Sequence, residues 1–319
     1  MKNGKHILVT GGAGFIGAHL VERLLEDGKS VVVIDDLSTG SRDNLRAVAQ
    51  QKNFRFIQTK ISAFAELPEL AANAEFIFHL AATVGVELVV KSALHVLEAS
   101  FNETQILLRA AAKNSTPILF TSTSEVYGKS AKPEFSEDDD LLIGPPGQSR
   151  WSYACSKLTD EFLALAYARE RNLPVTIARL FNTVGPRQTG RYGMVLPRFI
   201  FAAKNNEPLK VFGDGAQSRC FCLVHDVVEA LVRLQKCDAA RGEIFNIGGT
   251  EEISISELAK LVVTTLDSKS AIELIPYDQA YAPGFDDMRR RKPLVEKLER
   301  CVNFKPQTTL REIIRLTAG

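Results

Sequence analysis

The chain has 319 residues, enough for two modest domains or for one large α/β unit with an appended lobe. Lysine plus arginine (39) nearly cancels aspartate plus glutamate (38), leaving a formal net charge of +1, so no basic excess points to nucleic acid or to an acidic membrane, and no apolar run nears the roughly 20 residues that span a bilayer. The five scattered cysteines argue against a disulfide framework and for a reducing, cytoplasmic setting, and the Cys220–Cys222 spacing suits strand alternation better than a metal site.

In chain order, Met1 to Lys5 is too short and too polar for a secretory leader. His6 to Thr10 is a β-branched apolar run, a buried strand. It enters Gly11-Gly12-Ala13-Gly14-Phe15-Ile16-Gly17, followed by the helical pattern Leu20, Val21, Leu24, Leu25. Glycines between a strand and a helix let the backbone approach a pyrophosphate at the helix N-terminus. The next strand, Ser30 to Ile34, ends in Asp35-Asp36. An acid about 20 residues past the glycines accepts hydrogen bonds from an adenosine ribose. Asp35 also disfavours the extra phosphate of NADP, so NAD is the expected cofactor. Phe54 to Gln58 and Phe76 to Ala81 read as further strands, the second ending His79-Leu80-Ala81-Ala82. Small residues there let a cofactor lie across the strand ends. Ser92 to Lys113 is a long helical pattern containing Asn102, and Pro117 to Thr121 is the fifth strand. Strands alternating with helices imply a mainly parallel, doubly wound α/β sheet. The acidic run Glu137 to Asp140 reads as a solvated loop before Pro145-Pro146-Gly147.

Tyr153 and Lys157 are four residues apart, hence on one face of a helix. An ammonium nearby is expected to lower the tyrosine pKa from about 10 toward neutrality. Such a tyrosine can take a proton from a sugar hydroxyl while hydride leaves the same carbon. The plainer alternative is an amphipathic helix with an exposed lysine. Asn172 to Arg179 is another strand, and Phe181 to Pro186 leads into a second lobe. Gly190 to Met194 reads as a lid loop, and Val195-Leu196-Pro197 begins a helix. Asp226 is the expected N-cap of a helix over Val227 to Leu234. Gly242 to Gly249 is a strand, and Ala280 to Pro293 an irregular loop that returns arginines to the pocket.

Taken together, the chain resembles the extended short-chain dehydrogenase/reductase family of nucleotide-sugar epimerases, dehydratases and decarboxylases. The resemblance rests on the glycines at 11, 14 and 17, His79-Leu80-Ala81-Ala82, Glu125-Val126-Tyr127-Gly128, and Tyr153 with Lys157. It continues through Arg179 to Arg187, Val211-Phe212-Gly213-Asp214-Gly215 and Phe245-Asn246-Ile247-Gly248-Gly249. It implies an NAD-binding Rossmann domain over 1–180 and a smaller nucleotide-sugar lobe over 181–319, partly interleaved with it. Gly11, Gly14, Phe15, Ile16, Gly17, Asp35, Leu80, Ala81, Ala82 and Asn102 are the implied cofactor contacts, with Tyr153 and Lys157. NAD would oxidise C4 of the sugar while Tyr153 takes the hydroxyl proton, Thr123 binds that oxygen, and Lys157 holds the nicotinamide ribose. Ser124, Asn182, Arg187, Val195, Leu196, Val211, Phe212, Arg219 and Arg291 are the implied substrate contacts, with Asn182, Arg219 and Arg291 as candidates for the diphosphate. Thr59-Lys60-Ile61 departs from the pattern, which often has Asp here against adenine.

The run Thr123-Ser124-Glu125-Val126-Tyr127-Gly128 is similar to that of UDP-glucuronate decarboxylases and of the decarboxylase that makes a 4-keto pentose for lipid A modification. The 4,6-dehydratases carry Asp-Glu where this chain has Ser124-Glu125. Glu125 beside a uronate is expected either to be protonated or to orient the ring. The resemblance thus favours UDP-glucuronate decarboxylation, with UDP-sugar 4-epimerisation, 4,6-dehydration and a silent NAD-binding scaffold as alternatives. The apolar faces of Ser92 to Lys113 and Leu158 to Arg169 are implied to form the four-helix seam of a homodimer.

Overall fold

The computed structural model describes residues 5–82, 92–189, 194–276 and 288–319. The lid reading at 190–193 and the loop reading at 280–287 lie outside the described residues. Seven strands form one parallel sheet. They are β1 (His6–Thr10), β2 (Val31–Asp35), β3 (Phe54–Gln58), β4 (Ala74–His79), β5 (Ile118–Thr123), β6 (Val175–Leu180) and, from the second half, a strand over Ile244–Ile247. Their spatial order places β4 and β2 on either side of β1, then β5, β6 and the Ile244–Ile247 strand beyond β4, and β3 beyond β2. The strand order reverses between β1 and β4, which opens a crevice above their C-terminal ends. Strands buried on both faces read as continuous apolar runs, as Ile7-Leu8-Val9 and Val31-Val32-Val33-Ile34 do.

Helices cover both faces. On one side α1 (Phe15–Glu26) packs its Leu20, Val21 and Leu24 with Val227 and Leu231 of a later helix. On the other, α2 (Leu67–Ala72), α3 (Ala93–Ala112) and α4 (Trp151–Arg171) bury Leu67, Leu107, Leu108 and Ala164 against the sheet. A short β7 (Thr183–Val184) then leads to the second lobe. There α5 (Val195–Lys204), β8 (Leu209–Phe212), β9 (Ser218–Cys220) and β10 (Cys222–Leu223) precede α6 (Val224–Gln235). The sheet strand Ile244–Ile247 is β11, followed by β12 (Glu252–Ser254), α7 (Ile255–Thr265), β13 (Ile272–Ile275), α8 (Glu296–Val302) and α9 (Leu310–Ala318). The lobe has its own core, with Leu196, Phe199, Val211, Leu258, Val262 and Ile313.

Two local expectations are corrected. Asp226 does not cap α6. The helix starts at Val224 with Leu223 as its extended N-cap, because β10 runs straight into it. Asp226 lies in the first turn, where its carboxylate accepts from the Thr308 backbone N–H at 3.2 Å. The acidic run is not wholly solvated either: Glu137 is buried and its Oε1 accepts from the Asn246 N–H at 2.8 Å.

Candidate active site

The crevice above β1 and β4 is a cleft of about 680 Å³ between the sheet and the lobe. Gly11 turns out of β1 at φ +73°, where a Cβ would lie 2.6 Å from the Ala81 nitrogen. At Gly17 a Cβ would lie 2.2 Å from the Gly11 carbonyl oxygen. Only glycine permits this approach of turn, helix and β4 end. Gly11, Gly14, Phe15, Ile16, Gly17, Leu80, Ala81 and Ala82 all line the cleft. Asp35, at the end of β2, accepts from the Ala13 N–H at 2.9 Å and the Leu37 N–H at 2.8 Å. Burial pushes its carboxyl above the ordinary value against the pull of those two bonds. This wall, glycine-lined at a helix start with an acid at the neighbouring strand end, fits a dinucleotide. Thr59, Lys60 and Ile61 line the same end. Asn102 does not. It is exposed, and the cleft face of α3 is Ala99, Ser100 and Glu103 instead. At 100° per residue Asn102 falls off that face.

At the other end, α4 brings Tyr153 and Lys157 into the cleft one turn apart. Lys157 is 2% exposed, with its Nζ 4.2 Å from the centre of the Phe120 ring on β5. The Tyr153 hydroxyl is hydrogen-bonded to the Thr123 side chain. The expected lowering of the Tyr153 pKa is not what the site does. Burial pushes it up, the Glu125 and Asp160 charges add to that, and the Thr123 bond opposes. Lys157 is itself depressed by burial, with Asp160 and Glu161 pulling the other way.

β5 ends in a single 3-10 turn over Ser124–Tyr127, capped by Thr123 Oγ1 accepting from the Glu125 N–H at 3.3 Å. This turn aims Glu125 at two guanidiniums. Its Oε1 is 3.0 Å from Arg291 Nη2, and its Oε2 is 3.7 Å from Arg150 Nη1. Burial would raise its carboxyl, but Arg291, Arg150 and Arg219 together hold it below the usual carboxylate range. Glu125 is therefore ionised, which removes the protonated alternative. Ser124 is buried and lines the cleft beside it.

The remaining substrate expectations divide. Val195, Leu196, Phe212 and Arg219 line the cleft, and Arg219 Nη1 also donates to the Ser218 carbonyl at 2.8 Å. Asn182 lines it too, but its amide holds the Cys220 carbonyl at 2.8 Å. Val211 does not reach it. Along β8 the side chains alternate, so Lys210 and Phe212 face the cleft while Val211 sits in the lobe core. Arg187 lines the wall with its guanidinium engaged elsewhere. Nη1 and Nη2 each lie 2.7 Å from a Glu22 oxygen, and Nη2 also donates to His19 Nδ1 at 2.7 Å. Besides lining the cleft, it ties that wall to α1. The sequence reasoning missed Arg150, Arg198, Lys210, Thr183, Gln188 and Gln217 as lining residues. Thr183 Oγ1, Gln188 Oε1, Gln217 Oε1 and Arg291 Nε are buried there without a hydrogen-bond partner among the described residues. Arg150 lies only three residues before Tyr153 in the chain; no local pattern marks the glutamines.

Residues 7–248 match the family described as the NAD dependent epimerase/dehydratase family. The chain belongs to that family. Its cofactor is NAD, and the glycine wall and Asp35 fit it. A UDP-N-acetyl-alpha-D-glucosaminuronate decarboxylase of Bacillus cytotoxicus is 40% identical over 314 residues, which are 98% of this chain and 96% of that one. UDP-glucuronic acid decarboxylase 2 of Arabidopsis thaliana is 34% identical over 98% of this chain and 67% of its own length. Among solved structures, UDP-glucuronic acid 4-epimerase from Bacillus cereus, in complex with UDP-glucuronic acid and NAD, superposes with a TM-score of 0.87 at 28% identity over 98% of each chain. The family and Rossmann fold expected from the motifs are the ones found, and family members with NAD bound include dehydratases as well as epimerases.

Proposed function

We propose that this family member decarboxylates a UDP-linked uronate through a 4-keto sugar, UDP-glucuronate first among the candidates. The observation that carries the reading is Glu125, ionised between Arg291 and Arg150 beside the Thr123–Tyr153 pair. Three guanidiniums against one carboxylate leave this end of the cleft positive, so it admits an anionic sugar. Glu125 offsets part of that charge. A uronate carboxylate is then held, but not so tightly that its departure as carbon dioxide is slowed.

NAD, when bound, supplies the hydride acceptor and the returning hydride. Thr123 orients the C4 hydroxyl, and Tyr153 takes its proton as the phenolate, the form that the Lys157 ammonium and the positive charge of bound NAD favour against its burial. Lys157 holds the cofactor ribose and its charge faces the same region. Once C4 is a ketone, the carboxylate at C5 belongs to a β-keto acid. The electrons of the breaking C5–C6 bond pass into the ketone, and Tyr153, whose burial favours its protonated form, protonates the enolate oxygen. No acid is needed at C6, in keeping with Ser124 where a dehydratase carries Asp.

The substrate has a second reading, its 2-acetamido counterpart, favoured by the name of the 40% identical relative. NAD-loaded protein incubated with each UDP-uronate, with mass spectrometry of the product, decides between them. Loss of carbon dioxide from one or both supports the proposal. Unchanged mass with inverted C4 makes the protein an epimerase, loss of water a dehydratase, and no turnover a silent NAD-binding scaffold.

The same reading includes a cytoplasmic homodimer with cofactor-binding residues mostly within 1–180 and sugar-nucleotide residues within 181–319. Supporting the dimer, Leu94, Leu97 and Phe101 of α3 and Phe162 of α4 are 68%, 38%, 40% and 63% exposed on two adjacent helices. No helix among the described residues is long and apolar enough to cross a membrane.

A further inference from the structure

Asp160 is a buried carboxyl that the mechanism above does not use. It is 0% exposed on α4, three residues beyond Lys157. From α3, Ser100 Oγ donates to its Oδ2 at 2.7 Å, and the Thr104 side chain is bonded to it as well. Its Oδ1 is buried with no hydrogen-bond partner among the described residues. Burial pushes its carboxyl above the ordinary value, so it stays ionised only with a cation beside it. Arg179 is not it, because that guanidinium grips Glu161 through Nε at 3.1 Å and Nη2 at 2.8 Å. Glu161 is thereby compensated, and Ser122 donates to it too. From β4, His79 bonds Thr10 and Thr104 through its two ring nitrogens, and burial pushes its pKa down to about 3, so it is neutral. Lys157 is the cation that acts on Asp160, and Asp160 in turn acts on both Lys157 and Tyr153.

We propose that Asp160, buried one helical turn from Lys157, is the counter-charge that keeps this lysine charged in the cleft floor, and is linked to the cofactor side by Ser100. This rests on the Tyr153–Lys157 roles proposed above, and not on which reaction follows C4 oxidation.

A negative charge favours the protonated form of every neighbour. It raises both Lys157 and Tyr153. Removing it lowers both. Asp160→Asn keeps the shape and removes the charge, so the bell-shaped kcat/KM profile should move bodily to lower pH on both limbs. The profile is taken on whatever C4 turnover the wild-type enzyme shows, and product mass reports the reaction separately. The dissociation constant for NAD, followed over the same pH range, gives a readout without turnover. In Asp160→Asn its alkaline weakening should begin at lower pH, with several-fold weaker binding there. Should that variant fold poorly, Ser100→Ala, which loosens the same carboxylate, should give a smaller shift of the same sign. A profile scaled down with unmoved limbs would make Asp160 merely structural. Unmoved limbs together with an unmoved NAD profile would mean that the carboxyl is neutral in the protein. Either result overturns the proposal.

Discussion

Glu125, Arg291 and Arg150 form a charge group whose parts cannot be removed singly without cost. Glu125→Gln keeps the shape and leaves two buried guanidiniums facing a neutral amide. Breaking a buried pair from one side costs about 3 kcal/mol. The positive end of the cleft would then hold the uronate carboxylate too firmly for easy loss. We expect decarboxylation to fall about 10²-fold, with uronate binding equal or tighter. Steady-state kinetics on UDP-glucuronate checks this; an epimerase that makes no use of Glu125 would tolerate the change. The pH dependence has a definite sign. Glu125 is held below its ordinary 4.5. Its stabilisation is therefore complete above that value and is lost as pH falls through the depressed one. Acid unfolding followed by circular dichroism should be shallower in Glu125→Gln than in wild type across that window. The pairing of Glu125 was not legible in the sequence. Arg291 lies far along the chain from it, and only the fold brings the two within 3.0 Å.

At the scale of elements, the βαβ alternation was readable because each strand is a compact apolar run and each crossover helix has a clear apolar face. What failed was phase. Asn102 and Val211 each sit one residue from a position that faces the cleft. In β8 the alternation of Lys210 and Phe212 against Leu209 and Val211 was present in the sequence, but its facing was not. The pairing of Arg187 was hidden for another reason, since its partner Glu22 comes from α1, far away in sequence. That clamp holds a segment in which Asn182 and Arg187 have φ of 22° and 67°, outside the comfortable region for these residues. Arg187→Lys cannot reproduce the bidentate fork. It should cost about 1 kcal/mol of stability and raise KM for the UDP-sugar several-fold with a smaller change in kcat. Thermal unfolding and kinetics on the same preparation test both halves.

The whole molecule places a cofactor wall from β1, β2, β4 and α3 opposite a lobe wall from α5, β8 and β9, with α4 bringing the reactive pair between them. The exposed Leu94, Leu97 and Phe101 of α3 are not among the cleft-lining residues. If they form the seam of a homodimer, Phe101→Glu with Phe162→Glu should give a monomer in sedimentation velocity, because charges in an apolar seam oppose association. A mass unchanged from wild type would place any interface elsewhere.

In the proposed reaction, carbon dioxide leaves only after C4 has been oxidised with the help of Tyr153. The most direct measurement uses UDP-glucuronate labelled in its carboxyl carbon, with trapped carbon dioxide counted from the NAD-loaded wild-type enzyme and from Tyr153→Phe. The wild type should release the label, and Tyr153→Phe, still able to bind NAD, should leave it on the nucleotide sugar. Label retained by the wild type while C4 inverts, or released by Tyr153→Phe at the wild-type rate, would contradict the proposed reaction.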